Sequence, residues 1–377
     1  MAASSHDGYT LTLHIPVEWF SGTDTLQSER LRARRRKWVR DDARAEWKRL
    51  KRNKVAYKVE RFVALIGVAA PEETALAFPS RAAETVKPII DAGTDAGLWP
   101  DDDSTHRCST IYFRSPDPAP AHHYALTIYI LPVPSSPPTY QVEGALSMQL
   151  DAQWRKKRQR PDGYGGWVAN FTVPHRMWLS SNYTDSDLKA RANGQRRSDT
   201  WGRGDAFGQR VRTANDLKRL ACEQWDRQRQ WWTVKDPYII LAGIGYPPAV
   251  AEADPDNCAE SVNVIMDAGL RMKAWRGIDA NHCRAVAFFR LPTRARTGTH
   301  DVALYTLPVP PGFQIAETAQ PYQPTGGEQR HAHGERGERD EAFQHGLQSV
   351  GGYGERHVRE GEHDERDGQG GERQRAA

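Results

Sequence analysis

"ETVKPIIDAGTDAGLWPDDD" runs from Glu84 to Asp103, and "ESVNVIMDAGLRMKAWRGID" runs from Glu260 to Asp279. The two align without a gap at an offset of 176 positions (260 − 84). Working outward, the same offset carries Glu60–Pro134 onto Asp236–Pro310. Identical pairs include Gly67/Gly243, Pro79/Pro255, Asp91/Asp267, Gly93/Gly269, Trp99/Trp275, His106/His282 and Arg114/Arg290. Both stretches close on "LPVP", at Leu131–Pro134 and Leu307–Pro310. A gapless match of that length, with Trp and His among the identities, marks a tandem duplication.

Each copy reads alike. A first strand (Tyr9–Ile15; Trp167–Val173) leads into a basic helical region rich in Arg and Trp. An apolar strand follows, "RFVALIGV" at Arg61–Val68 or "YIILAGIG" at Tyr238–Gly245. The spacing then predicts a helix from about Val86 or Val262, with Thr85 and Ser261 as N-caps and Pro88 in the first turn. Two alternating strands close each unit. The expected fold is therefore α/β: two tandem domains, each a small mixed β-sheet with flanking helices, plus a disordered C-terminal tail. The expected boundaries are 9–134 for repeat 1, 135–164 for a linker with a basic segment, 165–312 for repeat 2 and 313–377 for a charged Gly/Glu/Arg/His-rich tail.

Charge is distributed unevenly. Between Arg30 and Lys54 thirteen Lys/Arg stand against three acids, a local balance of about +10 (13 − 3), with Trp38 and Trp47 interleaved. Such density suits a polyanion, because phosphates neutralised by Lys and Arg release condensed counterions. Arg34, Arg35, Arg36, Lys37, Lys48 and Arg49, with Lys156, Lys157 and Arg158 of the linker, are the candidate DNA contacts. A solvated helix face is the plainer account of the same run. The four cysteines form no C-x-x-C pair and the N-terminus lacks the pattern of a signal peptide, so a reducing, cytoplasmic compartment and no membrane are expected. The chain has no P-loop, no G-x-G-x-x-G at a strand end, no H-E-x-x-H and no G-x-S-x-G, which removes nucleotide-driven, dehydrogenase, metalloprotease and serine-hydrolase chemistries.

Copy two carries Asp254-Pro-Asp256-Asn257 ahead of its helix; copy one carries Lys87-Pro88 within its helix and then "AGLWPDDD", Ala96–Asp103. Joined, these pieces read D-P-D-N…T-x-K-P…A-G-x-x-P-D-D. That pattern resembles the RusA family of Holliday junction resolvases, small dimeric DNA endonucleases, and "WLSSN" at Trp178–Asn182 is similar to the family's N-terminal motif. The resemblance implies a Mg²⁺-dependent (or Mn²⁺-dependent), structure-selective endonuclease of recombination and repair, acting on branched or four-way DNA. Each protomer is then expected to build its own site, and the tandem to form an intramolecular pseudo-dimer.

Residue chemistry agrees with the resemblance. Phosphodiester hydrolysis suits a hard cation held by carboxylates, and Mg²⁺ takes oxygen ligands while keeping several waters. Asp254 and Asp256, in an extended D-x-D, project to one side and can share an ion. Neither copy holds a full set. Copy one has Phe78, Ser80 and Arg81 at the D-x-D-N positions but keeps Lys87, Asp101 and Asp102; copy two has Asn263 in place of the lysine and Gly277, Ile278 in place of the paired acids. Three readings follow. Copy two retains a weakened site of Asp254, Asp256 and Asp279; or Asp254/Asp256 pool with Lys87/Asp102 across a pseudo-dimer interface; or catalysis is lost and the chain is a DNA-binding accessory factor. The candidate metal ligands are Asp254, Asp256 and Asp102. A plain turn ahead of a helix also accounts for "DPDN". Asp91/Asp267, His106/His282 and Trp99/Trp275, shared by both copies, are read as holding the fold.

Overall fold

The computed structural model describes residues 8–23, 28–72, 78–116, 118–133, 166–180, 206–228, 233–248, 253–279, 281–310, 313 and 315. The linker, its basic segment with Lys156, Lys157 and Arg158, residues 181 and 182 of the "WLSSN" motif, and the tail from 316 lie outside these. Elements come in two runs of six. The first is β1 (Tyr9–Pro16), α1 (Glu29–Arg52), β2 (Phe62–Ala69), α2 (Ala83–Asp95), β3 (Arg107–Arg114) and β4 (His123–Pro132). The second is β5 (Trp167–Pro174), α3 (Ala206–Gln228), β6 (Tyr238–Gly245), α4 (Ala259–Arg271), β7 (Cys283–Arg290) and β8 (Thr299–Pro308). From β2 and β6 onward the first residues differ by 176 throughout, as 238 − 62 shows.

The mixed α/β class expected from the sequence is present, with its strands in one sheet rather than two. The order is β1-β4-β2-β3-β7-β6-β8-β5. Within each half, β2 runs parallel to β3 and β6 parallel to β7, joined by the crossover helices α2 and α4. The halves meet where β3 pairs antiparallel with β7, from Ser109↔Phe289 to Phe113↔Ala285. At the centre Ile111 faces Ala287, its own repeat counterpart (287 − 111 = 176), so the pseudo-twofold axis passes through that pair. Seam-forming residues such as Tyr112 and Phe288 read as ordinary strand positions in either copy, which is why one sheet was not legible.

One cluster of buried residues runs through both halves and takes in the inward positions of all four helices. Phe62, Ala64, Ile66 and Val68 of β2 alternate into it, as Tyr238, Ile240, Ala242 and Ile244 of β6 do, the period of two that a sheet with one helix-covered face requires. Trp47 of α1 and Trp225 of α3 are fully buried, and each donates its indole N–H to a carbonyl of the crossover helix, Ile89 O or Ile265 O, at 3.0 Å. Trp47 is thus a core residue, not an aromatic interleaved with a DNA-binding surface. Trp99 packs edge-on against Trp47 (centroids 5.7 Å apart), as Trp275 does against Trp225 (5.6 Å).

Two details of the helices differ from expectation. Helices α2 and α4 begin three residues early, with Ala82 and Cys258 at the N-cap and no side-chain cap bond. Thr85 instead exchanges hydrogen bonds with Ser21 (its Oγ1 accepts from N at 2.8 Å and donates to O at 2.9 Å), and Ser261 does the same with Leu179. These hydroxyls pin the segment after the first strand to the crossover helix. Pro88 accordingly lies beyond the first turn, where it withholds one helical N–H.

Gly93 and Gly269 are shared for a packing reason. A Cβ at Gly93 would lie 1.9 Å from Trp99 Cζ2, and one at Gly269 2.8 Å from Trp225 Cζ2. Gly93→Ala should therefore destabilise the fold by about 1–3 kcal/mol, as overpacking of a tight core does. Equilibrium denaturant unfolding checks it, and an unchanged midpoint would contradict the packing.

Candidate functional site: one composite acidic cluster at the seam

The antiparallel seam decides what meets what. Because β7 runs opposite to β3, the start of β3 in the first half lies toward the ends of β7 and β6 in the second. The loop after β6 carries Asp254 and Asp256, and the start of β3 carries Arg107. A crossover helix and the turn before β3 bring Lys87 and Asp102 to the same place. Lys87 Nζ pairs with Asp254 Oδ2, and its other carboxylate neighbour, Asp91 Oδ1, is 3.8 Å away. Arg107 Nη2 stands 3.0 Å from Asp256 Oδ1, 3.3 Å from Asp102 Oδ2 and 3.8 Å from Asp254 Oδ2, while its Nε donates to Asp102 O at 3.1 Å. Tyr112 OH donates to Asp256 Oδ2 at 2.6 Å.

Asp254 and Asp256 therefore meet Lys87 and Asp102 across the two halves, the pooled arrangement among the three readings. Asp279 is elsewhere: it accepts from His282 Nδ1 at 2.9 Å and from Asn281 N at 2.7 Å within its own turn. Asp103 and His106 form the same 2.9 Å contact in the first half, so the shared histidines brace a turn. Asp101 accepts from the Asp102 amide at 2.7 Å. Arg107 and Tyr112 were missed. Their counterparts are Cys283 and Phe288, so both stand where the copies differ in polarity, as the acids do.

Burial sharpens the electrostatics. Arg107 and Tyr112 are 0% exposed, and Asp102, Asp254 and Asp256 are 9%, 9% and 4% exposed. Burial raises the Asp254 pKa, with Asp102 adding to it and Lys87 and Arg107 opposing. Burial alone would lower the Lys87 pKa, but Asp254, Asp91 and Asp102 outweigh it and the ammonium is held above its ordinary value. The same contest leaves Arg107 more firmly charged than usual, through Asp256, Asp102 and Asp254. Burial and the Asp256 carboxylate push Tyr112 up, so the phenol stays a donor.

The pseudo-symmetric position has an uncharged residue at the counterpart of each of the five groups Lys87, Asp102, Arg107, Asp254 and Asp256. Phe78 and Ser80 replace the two aspartates, Asn263 the lysine, Ile278 the paired acid and Cys283 the arginine. Ser80 Oγ donates to Asn263 Oδ1 at 2.7 Å, Asn263 Nδ2 donates to Thr23 Oγ1 at 2.7 Å, and Arg81 Nη2 bonds Asp267 at 2.9 and 3.1 Å. Asp91 and Asp267, expected to hold the fold, thus also face the two composite positions.

Hard carboxylate oxygens are the right donors for Mg²⁺, but here they close on a guanidinium. Oδ2 of Asp256 is taken by Tyr112, Oδ2 of Asp254 by Lys87, and Arg107 lies between Asp102, Asp254 and Asp256. Among the described residues no group of three or more His, Cys, Asp or Glu is placed to hold a metal ion. As they stand, these residues do not fit Mg²⁺.

Much of the basic helix is spent internally. Arg36 forks onto Glu84 at 2.7 and 2.9 Å, with Arg32 at 3.4 Å from the same carboxylate. Arg40 pairs with Asp95 and lies 3.5 Å from Asp91. Arg35 donates to Phe20 O, Arg34 lies over the Trp19 ring at 6.0 Å, Lys37 pairs with Asp41 and Arg49 with Glu46. Lys37, Arg44, Lys48, Arg49 and Arg52 remain on the exposed side. Among the described residues no helix is long and apolar enough to cross a membrane. Compared with known proteins, the chain matches no family model, no curated protein and no solved structure.

Asp91 gives a direct check on this charge map. Its pKa is pushed up to about 6 by burial, against Lys87 and Arg40 and with Asp102 and Asp254 adding. A carboxyl raised in the folded state binds more protons there, so its contribution to stability is full below the unfolded pKa near 4 and is lost as pH rises toward 6. NMR titration of the side-chain carboxyl should find a midpoint near 6, and Asp254→Asn should lower it by removing a neighbouring negative charge. A midpoint near 4 in the wild type would contradict the cluster.

Proposed function

We propose that the chain is a RusA-like, structure-selective protein of branched DNA: a Mg²⁺-dependent junction endonuclease of recombination and repair, or the diverged descendant of one, built as two tandem RusA-like units in one chain. The observation that carries this reading is the convergence of the Asp254-Pro-Asp256 loop of one half with Lys87 and Asp102 of the other. Those are the pieces whose joined pattern resembles the family. The exposed side of α1, with Arg44, Lys48 and Arg52, supplies a basic surface of the kind that binds phosphates with strong salt dependence.

Of the two forms, the descendant fits the described geometry better. Arg107 stands where the carboxylates would need to meet an ion, and a buried guanidinium paired with several acids is costly to displace, since removing one member strands the other charges. In this form the composite site is a charge-balanced brace of the seam, and binding is performed by the basic surfaces. The active form is favoured by one observation, that Lys87, Asp254, Asp256 and Asp102 are still brought together while their mirror positions have lost all four.

A gel assay on a synthetic four-way junction tests both forms, with binding in EDTA and cleavage in Mg²⁺ or Mn²⁺. The expected result is junction binding that exceeds binding to linear duplex and weakens steeply with salt, with no nicking in either metal. Asp254→Asn is expected to leave binding within about twofold. Nicking that falls by about 100-fold or more in Asp254→Asn would establish the endonuclease instead. Equal affinity for junction and duplex would remove the branched-DNA reading.

A further inference from the structure

We propose that Arg107 is the resident cation of the composite site: its guanidinium neutralises Asp102, Asp254 and Asp256, and in doing so keeps divalent metal out. This does not rest on the DNA reading, since it concerns only what balances a buried acid cluster.

The argument starts from cost. A side chain that is 0% exposed and permanently charged can be buried only among compensating charges, and Arg107 has three carboxylates within 3.8 Å of Nη2. Those carboxylates are equally unable to be buried alone. Each group therefore stabilises the other, which a bound divalent ion would otherwise do.

The duplication supplies an internal control. At the mirror position the three acids are Phe78, Ser80 and Ile278, and the arginine is Cys283. Cys283, at the place of Arg107, meets none of these acids, and the guanidinium groups nearby are balanced differently, Arg81 by Asp267 and Arg114 at the carbonyls of Cys283 and Ile278. Arg107 and its three acids are thus present as a set at one position and replaced as a set at the other.

Geometry adds a third strand. Mg²⁺ requires near-octahedral oxygen ligands at about 2.0–2.1 Å and surrenders its waters reluctantly. Asp256 offers one oxygen to Tyr112 at 2.6 Å and the other to Arg107 at 3.0 Å. The latter contact is an ion pair without hydrogen-bond alignment, for Asp256 Oδ1 and Arg107 Nη1 have no hydrogen-bond partner. Two bonds to Asp102, from Nε to O at 3.1 Å and from Nη2 to Oδ2 at 3.3 Å, orient the guanidinium, and charge ties it to Asp256. A divalent ion entering here would have to expel a fully buried, permanently charged cation.

The test uses the full-length chain freed of metal, with Mn²⁺ as the probe. Titration by electron paramagnetic resonance is run beside thermal unfolding with Mn²⁺ or with EDTA. Asp254→Asn serves as the baseline for any ion held elsewhere on the chain. Wild type is expected to match Asp254→Asn in Mn²⁺ bound, and to melt at the same temperature with Mn²⁺ as with EDTA. Arg107→Met is expected to melt several degrees lower in EDTA, to gain one Mn²⁺ per chain and to recover stability when the ion is added. Adding Asp254→Asn to Arg107→Met should abolish the gain. One Mn²⁺ bound by wild type and lost in Asp254→Asn would overturn the proposal. So would an Arg107→Met chain that folds and neither loses stability nor binds the ion. Should Arg107→Met fail to fold, the comparison of wild type with Asp254→Asn decides alone.

Discussion

The antiparallel pairing of β3 with β7 is the constraint from which the rest follows. Five residue pairs, centred on Ile111 and Ala287, turn two four-stranded halves into one sheet with a pseudo-twofold axis through its middle. Antiparallel geometry sends the strand ends of one half toward the strand beginnings of the other. A loop after a strand's carboxyl end, the usual place for functional groups in an α/β sheet, is therefore completed by side chains of the opposite half. The composite character of the site is a property of the sheet's topology before it is a property of any side chain.

Charge then sets the two composite positions apart. One gathers Asp91, Asp102, Asp254 and Asp256 against Lys87, Arg107 and Arg40 in mostly buried surroundings. The other holds the Arg81–Asp267 ion pair, the Arg114 guanidinium on the carbonyls of Cys283 and Ile278, and neutral groups such as Ser80 and Asn263 that satisfy one another. Burial forbids intermediate solutions: a half-replaced cluster would strand a charge in a low-dielectric interior.

The duplication, the strand and helix order and the structural part of Trp99 and Trp275 were legible because they rest on local period and on self-similarity. Gly93 and Gly269 recur for the same packing reason as Trp99 and Trp275. The seam was not legible, because "RCSTIYFR" and "CRAVAFFR" look like any strands buried in a sheet, and nothing local says that they pair with each other. Asp254, Asp256, Lys87 and Asp102 were singled out by the family resemblance, with their meeting across the halves one of three readings, and that meeting depends on the pairing of β3 with β7. Asp279, a candidate by its position in the chain, instead holds His282 and the Asn281 amide within its own turn. Arg107 and Tyr112 needed one further step, asking where the copies disagree in polarity rather than where they agree. Of the basic residues of α1, Arg32, Arg36 and Arg40 face acids on α2 that are remote in sequence, and of these only Arg36 was among the candidate DNA contacts.

A covalent pair of halves also differs from a homodimer in how it can change. In a homodimer every substitution is written twice, so a position on the axis always meets its own replacement and both sites shift together. Here Tyr112 faces Phe288 across the axis at 5.9 Å, two different residues at one symmetric place. Each half can drift while its partner preserves the shared sheet. The scaffold thus tolerates a division of labour that an identical pair could not acquire one substitution at a time.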